Sequence, residues 1–269
     1  LPYITSGYTI RSKGIIDSMS ESGMNIIVNS RWGFPVDRSD YVGEEVIPES
    51  MEIDGVNHIF SPDSSGMYDN KMEDYVQLAA KSILSKAIEH RPSIIHACSD
   101  HTIGLASAIV AKSLSVPFIY EMRGVWAFSR AANNPGFASD PRFALMIRLE
   151  KQCAMAADHL FVISESLKEE VKSWGVDSSK ISVLPNGITH LPLGNYETGG
   201  RDEISKDQQT LVLGYIGSIV PYEGLDDLAK SISVLSKKER MGVKCLIAGG
   251  GSSEEELREQ VSDLGIDDN

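Results

Sequence analysis

Three cysteines in 269 residues, none in a C-x-x-C pair, give this chain neither a disulfide framework nor a thiolate metal site to organise it. Cys98, Cys153 and Cys245 each lie inside an apolar stretch and read as buried, reduced thiols. The sequence also has no H-E-x-x-H or D-x-D triplet, so no metal site is expected. No apolar run approaches the ~18 residues that a membrane-spanning helix needs. Basic residues are scarce: 25 Lys and Arg stand against 38 Asp and Glu, for a net charge of −13 and a pI near 4.9. With no basic run or patch, nucleic acid is excluded as a partner class, and so is an electrostatic membrane anchor. The first residues show no basic-then-apolar signal pattern. Together these absences set the expectation of a cytoplasmic protein with at most peripheral contact at the inner face of a membrane.

What the chain does have is alternation. Short, continuously apolar runs at 24–30, 93–99, 117–123, 159–164, 181–184, 211–217 and 243–249 predict strands covered on both faces. Longer segments between them carry helical periodicity. Met72, Tyr75, Val76, Ala79, Ala80, Ile83, Leu84 and Ala87 recur at three- and four-residue spacing, and Leu257, Val261 and Leu264 form a shorter stripe. Residues 105–114 are rich in Ala and Ile, nearly apolar all round, and predict a deeply packed helix. Strand–helix alternation of this kind predicts an α/β fold with parallel sheets. Residues 195–210 (NYETGGRDEISKDQQT) have no apolar period and predict a linker or mobile loop between a first domain, 1–194, and a second, 211–269. The second holds only two βα units, too few to bury a sheet alone.

The stretch YIGSIVPYEGLDDLAKSI (215–232) predicts a strand, a glycine turn and a helix start. The unpaired N–H groups at a helix N-terminus favour an anion. Followed by VKCLIAGGGSSEEELREQVSDLGI, it resembles the start of the nucleotide-sugar-binding domain of group 1, family-four retaining glycosyltransferases of the GT-B fold. Upstream landmarks agree in order. LPYITSGYTIRS (1–12) resembles the family's first glycine loop, and SIIHACSDHTIGLASAIVAKSLSVPFIYEMRG (93–124) its central strand–helix–strand. AADHLFVISESLKEEVKSWGV with ISVLPNGI resembles the end of its first domain. The similarity covers almost the whole chain and lies in the order of motifs; single glycine turns of this kind are common.

The resemblance implies a GT-B architecture of two Rossmann-like domains, with the family's first strand and most of its C-terminal domain lying outside these residues. It implies transfer of a sugar, with retention, from a nucleotide-diphosphate donor (UDP- or GDP-linked) to a glycan or lipid-linked acceptor. No separate cofactor would be needed, and these residues alone would be inactive. Gly7 would let backbone approach a diphosphate or an acceptor, with Arg11 one turn further along. Arg123, where many relatives carry a histidine, and Glu121 on the same strand face become the catalytic candidates; an internal salt bridge is the equal alternative. Trp126 and Arg130 lead into Asn133–Gly136 as an acceptor-side wall. Asn186 and Gly187 match the family's crossing between domains. In the donor cradle Gly217, Ser218, Glu223, Gly224 and Gly250 are the matching positions. Ser218 and Glu223 stand where the family's commonest pattern has arginine and lysine, which leaves Arg123 and Arg11 as candidate replacement cations. Two other readings stay open: a nucleotide-sugar 2-epimerase of similar fold, and a module that has lost catalysis.

Overall fold

A computed structural model describes residues 3–38, 41, 43, 46–63, 66, 70–187 and 210–268. The chain divides into two compact units, one from 1–127 with 140–190, the other from 128–139 with 191–269. Residues 128–139 therefore group with the second unit, although the sequence pattern assigns them to the first. Apolar periodicity marks which face of an element is covered, not which unit covers it. The expected linker, apart from Thr210, lies outside the described residues.

In the first unit, α1 (Gly7–Glu21) opens on a reciprocal cap: Ser6 Oγ accepts from Thr9 N–H and Thr9 Oγ1 accepts from Ser6 N–H. A three-stranded sheet follows in the order β1 (Ile27–Asn29), β3 (Val56–Ile59), β2 (Ser50–Ile53), with β1 and β3 parallel and β2 and β3 antiparallel. The β2–β3 hairpin was not anticipated. Its signal is the Asp54–Gly55 pair between alternating residues, and both adopt the positive φ (49° and 78°) that a two-residue hairpin turn requires. Helix α2 (Met72–His90) buries Tyr75, Val76, Ala79, Ala80 and Ala87, the face its periodicity predicts.

The main sheet is parallel, in the order β4 (Ile95–Cys98), β5 (Phe118–Met122), β6 (His159–Val162), β7 (Ile181–Val183). Tyr120, Met122, Leu160 and Val162 are fully buried beneath α3 (His101–Leu114) and α5 (Pro141–Ala156). Gly104 brings α3 close to the sheet; a Cβ there would lie 2.8 Å from Cys153 Sγ and 2.9 Å from the Tyr120 ring. Helix α5 starts on an Asp140 cap with proline at its first positions. Helix α4 (Trp126–Asn133) leaves β5 and α6 (Glu165–Ser173) follows β6, capped by Ser164.

In the second unit, β8 (Leu211–Ile216) pairs in parallel with β9 (Val243–Ala248). Helix α7 (Leu225–Ser233) follows β8, a short α8 (Lys237–Arg240) precedes β9, and α9 (Glu254–Asp263) follows it. Leu225, Ala229, Ile232, Leu257 and Ile266 form a small core over Tyr215 and Cys245. Leu211, Ile216, Leu246 and Ile247 are exposed, which corrects the expectation that these two runs are covered on both faces: two strands and their helices supply too little cover.

Gly249 sits at φ 150°, and a Cβ there would run into the Gly217 carbonyl. Gly249→Ala is therefore expected to lower stability by about 2 kcal/mol. Urea unfolding monitored in the second unit measures it, and an unchanged midpoint would contradict the close approach.

Candidate functional site

In-register pairing sets the first cluster. Cys98 on β4 faces Glu121 on β5, and His96, two residues back, shares their face. Glu121 is completely buried. Its Oε1 accepts from Arg11 Nε at 2.7 Å and from Arg123 Nε at 2.8 Å. Its Oε2 receives Arg123 Nη2 at 3.4 Å and the Cys98 thiol at 3.5 Å. His96 Nε2 stands 3.3 Å from Oε2 but off a hydrogen-bonding line, so it contributes field rather than a bond. Burial alone would raise the Glu121 carboxyl; His96, Arg123 and Arg11 outweigh it and hold the group well below the usual carboxylate range.

Arg123 commits all five of its donors. Besides the carboxylate, Nη1 reaches the Tyr8 carbonyl at 2.9 Å and Ser12 Oγ at 2.8 Å, and Nη2 reaches Cys98 Sγ at 3.1 Å. Its backbone N–H donates to Ser99 Oγ. Of the two readings left open for Glu121 and Arg123, the internal ion pair is the one realised. Arg11 spends its other donors on the Leu184 and Pro185 carbonyls and on Asn186 Oδ1, at 2.8 to 2.9 Å. Neither arginine presents an open fork to a phosphate, which corrects their expected use as replacement cations. Both are bound to the Glu121 carboxylate, which would otherwise be buried without a partner.

His96, Cys98 and Glu121 also bring one nitrogen, one sulfur and one oxygen within 4.8 Å of one another. The set does not suit a cation. Two guanidiniums already occupy the carboxylate, and burial, only partly offset by Arg123, pushes the Cys98 thiol up to about 12.

Gly7 is the first residue of α1, with nothing within 4 Å of where its Cβ would be, so the backbone borders open space. Beside it Tyr8 and Trp126 meet edge to face, with ring centroids 6.2 Å apart, and Trp126 Nε1 donates to Tyr8 Oη at 3.0 Å. Gly187 is exposed and unobstructed. Arg130, read as part of an acceptor wall, lies over the Phe137 ring at 4.6 Å, and its loop forms a 3-10 turn, Pro135–Ser139.

A second buried cluster had no signal in the periodicity. Tyr120 Oη donates to Glu150 Oε2 at 2.7 Å, the His101 N–H to Oε1 at 3.2 Å, and Asp100 caps α3. Glu150 was hidden because α5 itself was not predicted.

The second unit is described by itself. Gly217 N–H donates to the Ala248 carbonyl, and Tyr215 Oη donates to the Ser218 carbonyl at 2.8 Å. Glu223 is exposed in a 3-10 turn; burial and then the Glu223 charge raise the Tyr215 phenol. Gly224 takes φ 73°, which favours glycine, and opens α7 without a side-chain cap. Asp226 and Asp227 occupy the first turn, with Lys230 at 2.8 and 3.1 Å. Gly250 is not the constrained glycine of its run: a Cβ there meets only Glu254 at 3.4 Å, whereas Gly249 and Gly251 would strike the Gly217 and Ile219 carbonyls.

The parallel sheets with their helices define a Rossmann-like α/β architecture, and the similar solved structures show the GT-B fold. Sucrose-phosphate synthase of Thermosynechococcus elongatus superposes with a TM-score of 0.71 at 15% identity, covering 98% of this chain and 64% of the other. Anabaena HepE, in complex with UDP, gives 0.55 at 16%, covering 79% and 54%. Residues 49–190 match the family description Glycosyltransferase Family 4, and residues 200–269 match Glycosyl transferases group 1. The chain belongs to this glycosyltransferase family. It is 25% identical over 222 residues to the capsular polysaccharide biosynthesis glycosyltransferase CapM of Staphylococcus aureus, covering 75% of this chain and 56% of that protein. The chain spans about half the length of the curated relatives it matches. Among the described residues no helix is long and apolar enough to cross a membrane.

Because Glu121 ionises more readily folded than unfolded, its stabilisation is fully present above the unfolded carboxylate pKa, about 4.3. It is lost as pH falls from there through the lower folded value. Glu121→Gln is expected to cost about 3 kcal/mol at pH 7, since two buried guanidiniums lose their counter-charge. It should also flatten the loss of stability below pH 4.5. Urea midpoints across pH 3–7 test this; a variant as acid-sensitive as the wild type would disprove it.

Proposed function

We propose that this glycosyltransferase moves a sugar from a nucleoside-diphosphate sugar to a glycan or lipid-linked acceptor, with retention of configuration and without a divalent metal. The observation that carries this reading is the β8–turn–α7 arrangement. A strand ends at Ile216, just before Gly217, and a helix begins at a positive-φ glycine with no side-chain cap, the kind of helix start whose N–H groups favour an anion. The family match and the UDP complex of the similar HepE structure support a nucleotide-sugar donor. CapM's role in capsular polysaccharide biosynthesis supports a surface-glycan acceptor, and with it a cytoplasmic enzyme working at most peripherally at the membrane.

Charge sets the character of the donor site. With Arg11 and Arg123 committed elsewhere, the turn has Glu223, Asp226 and Asp227 close by and Lys230 as partial compensation. A diphosphate would therefore be held mainly by neutral N–H donors, and stabilising the departing diphosphate would be the enzyme's chief catalytic task. Glu223→Lys is expected to tighten UDP binding at least threefold, because a local repulsion becomes an attraction.

The complete enzyme, given UDP-, GDP- or ADP-linked sugars and a polysaccharide acceptor, should release nucleoside diphosphate at a rate unchanged by EDTA. The product should keep the donor's anomeric configuration. An inverted product would sink retention, and epimerised donor formed without acceptor would assign the 2-epimerase instead. No binding of any nucleoside diphosphate would leave a module without catalysis.

A further inference from the structure

The exposed pair Tyr8 and Trp126 is unusual in being both apolar and rigidly held. Trp126 is 38% exposed, yet the residues on either side, Val125 and Ala127, are 5% and 0% exposed, so its backbone is anchored while its ring faces out. Tyr8 is 43% exposed, but its carbonyl receives Arg123 Nη1 and Ser12 Oγ, which ties it to the buried Glu121 cluster. The indole's single polar atom is spent on Tyr8 Oη. What the pair offers outward is therefore aromatic face, with the Tyr8 hydroxyl still able to donate one hydrogen bond. It stands where β5 ends, the end of a parallel sheet at which α/β folds bind ligands, beside the unobstructed backbone of Gly7.

A fixed aromatic face beside a hydroxyl and open backbone suits a ligand with an apolar C–H face and a polar rim. A sugar ring has that form; a lipid chain would leave the hydroxyl and the backbone unanswered. We propose that Tyr8 and Trp126 form a stacking subsite for a sugar ring of the acceptor, and that Arg123 and Glu121 are positioning residues holding it rather than catalytic ones. This rests on the glycosyltransferase reading and assigns part of its acceptor specificity to these two side chains.

The test uses octyl β-glucoside and methyl N-acetylglucosaminide as probes on this chain, read by saturation-transfer NMR, with UDP titrated separately. Saturation should reach the ring C–H protons rather than the octyl chain. Trp126→Ala should weaken sugar binding by about two- to tenfold, Trp126→Phe should restore most of it, and both should unfold at the wild-type temperature. Transfer to the octyl chain alone, no transfer to either sugar, or undiminished ring transfer in Trp126→Ala would each overturn the subsite. Sugar binding by this chain together with no UDP binding by the complete enzyme would instead count against the donor reading and leave the subsite standing, so the two can fail separately.

Discussion

One buried carboxylate organises the first unit. Glu121 would be costly to bury alone, and it is kept ionised by two guanidiniums whose remaining donors are taken up by other groups. Each arginine then extends the connection: Arg123 to the start of α1 and the end of β4, Arg11 to the strand exit at residues 184–186. Three segments far apart in sequence are thus referenced to a single side chain on the central strand. A hydrophobic contact in its place would tolerate small shifts. A set of directed hydrogen bonds at 2.7 to 2.9 Å fixes direction as well as distance.

That constraint separates support from contact. The residue types that attract mechanistic attention, an arginine and a glutamate at a strand end, are turned inward and saturated. The residues left facing solvent are aromatic, and their orientation derives from the saturated cluster. In the second unit the logic is weaker. A two-stranded sheet with one covered face has little core to direct its turns, and glycine geometry does more of the work there.

Much of this was legible in the sequence. Seven apolar runs became strands of the two parallel sheets or, at 24–30, of the smaller mixed one, although cover on both faces, which continuous Val, Ile and Leu runs suggest, is not found for β1, β8 and β9. The glycine turn after β8 and the helix behind it fell where the pattern of 215–232 placed them. Other elements were hidden for physical reasons. Helix α5 carries apolar residues on more than one face, with Leu145 and Met155 exposed and a charge, Glu150, among the four residues it fully buries, so no single apolar stripe marks it. The β2–β3 strands are four residues each, short enough that only the Asp54–Gly55 turn could reveal them. Within the site, sequence placed Arg123 and Glu121 on one face but could not show that their hydrogen bonds are consumed. Strand alternation gives direction, whereas saturation depends on Tyr8, Ser12 and Cys98 arriving from elsewhere.

The Arg11 contacts have a mechanical side. By gripping the carbonyls of Leu184 and Pro185 and the side chain of Asn186, α1 clamps the outgoing chain to the body of the first unit. Gly187 is the first residue past that grip, exposed and with nothing within 4 Å of where its Cβ would be. The chain leaving β7 is therefore fixed, up to Asn186, to the helix that carries Tyr8.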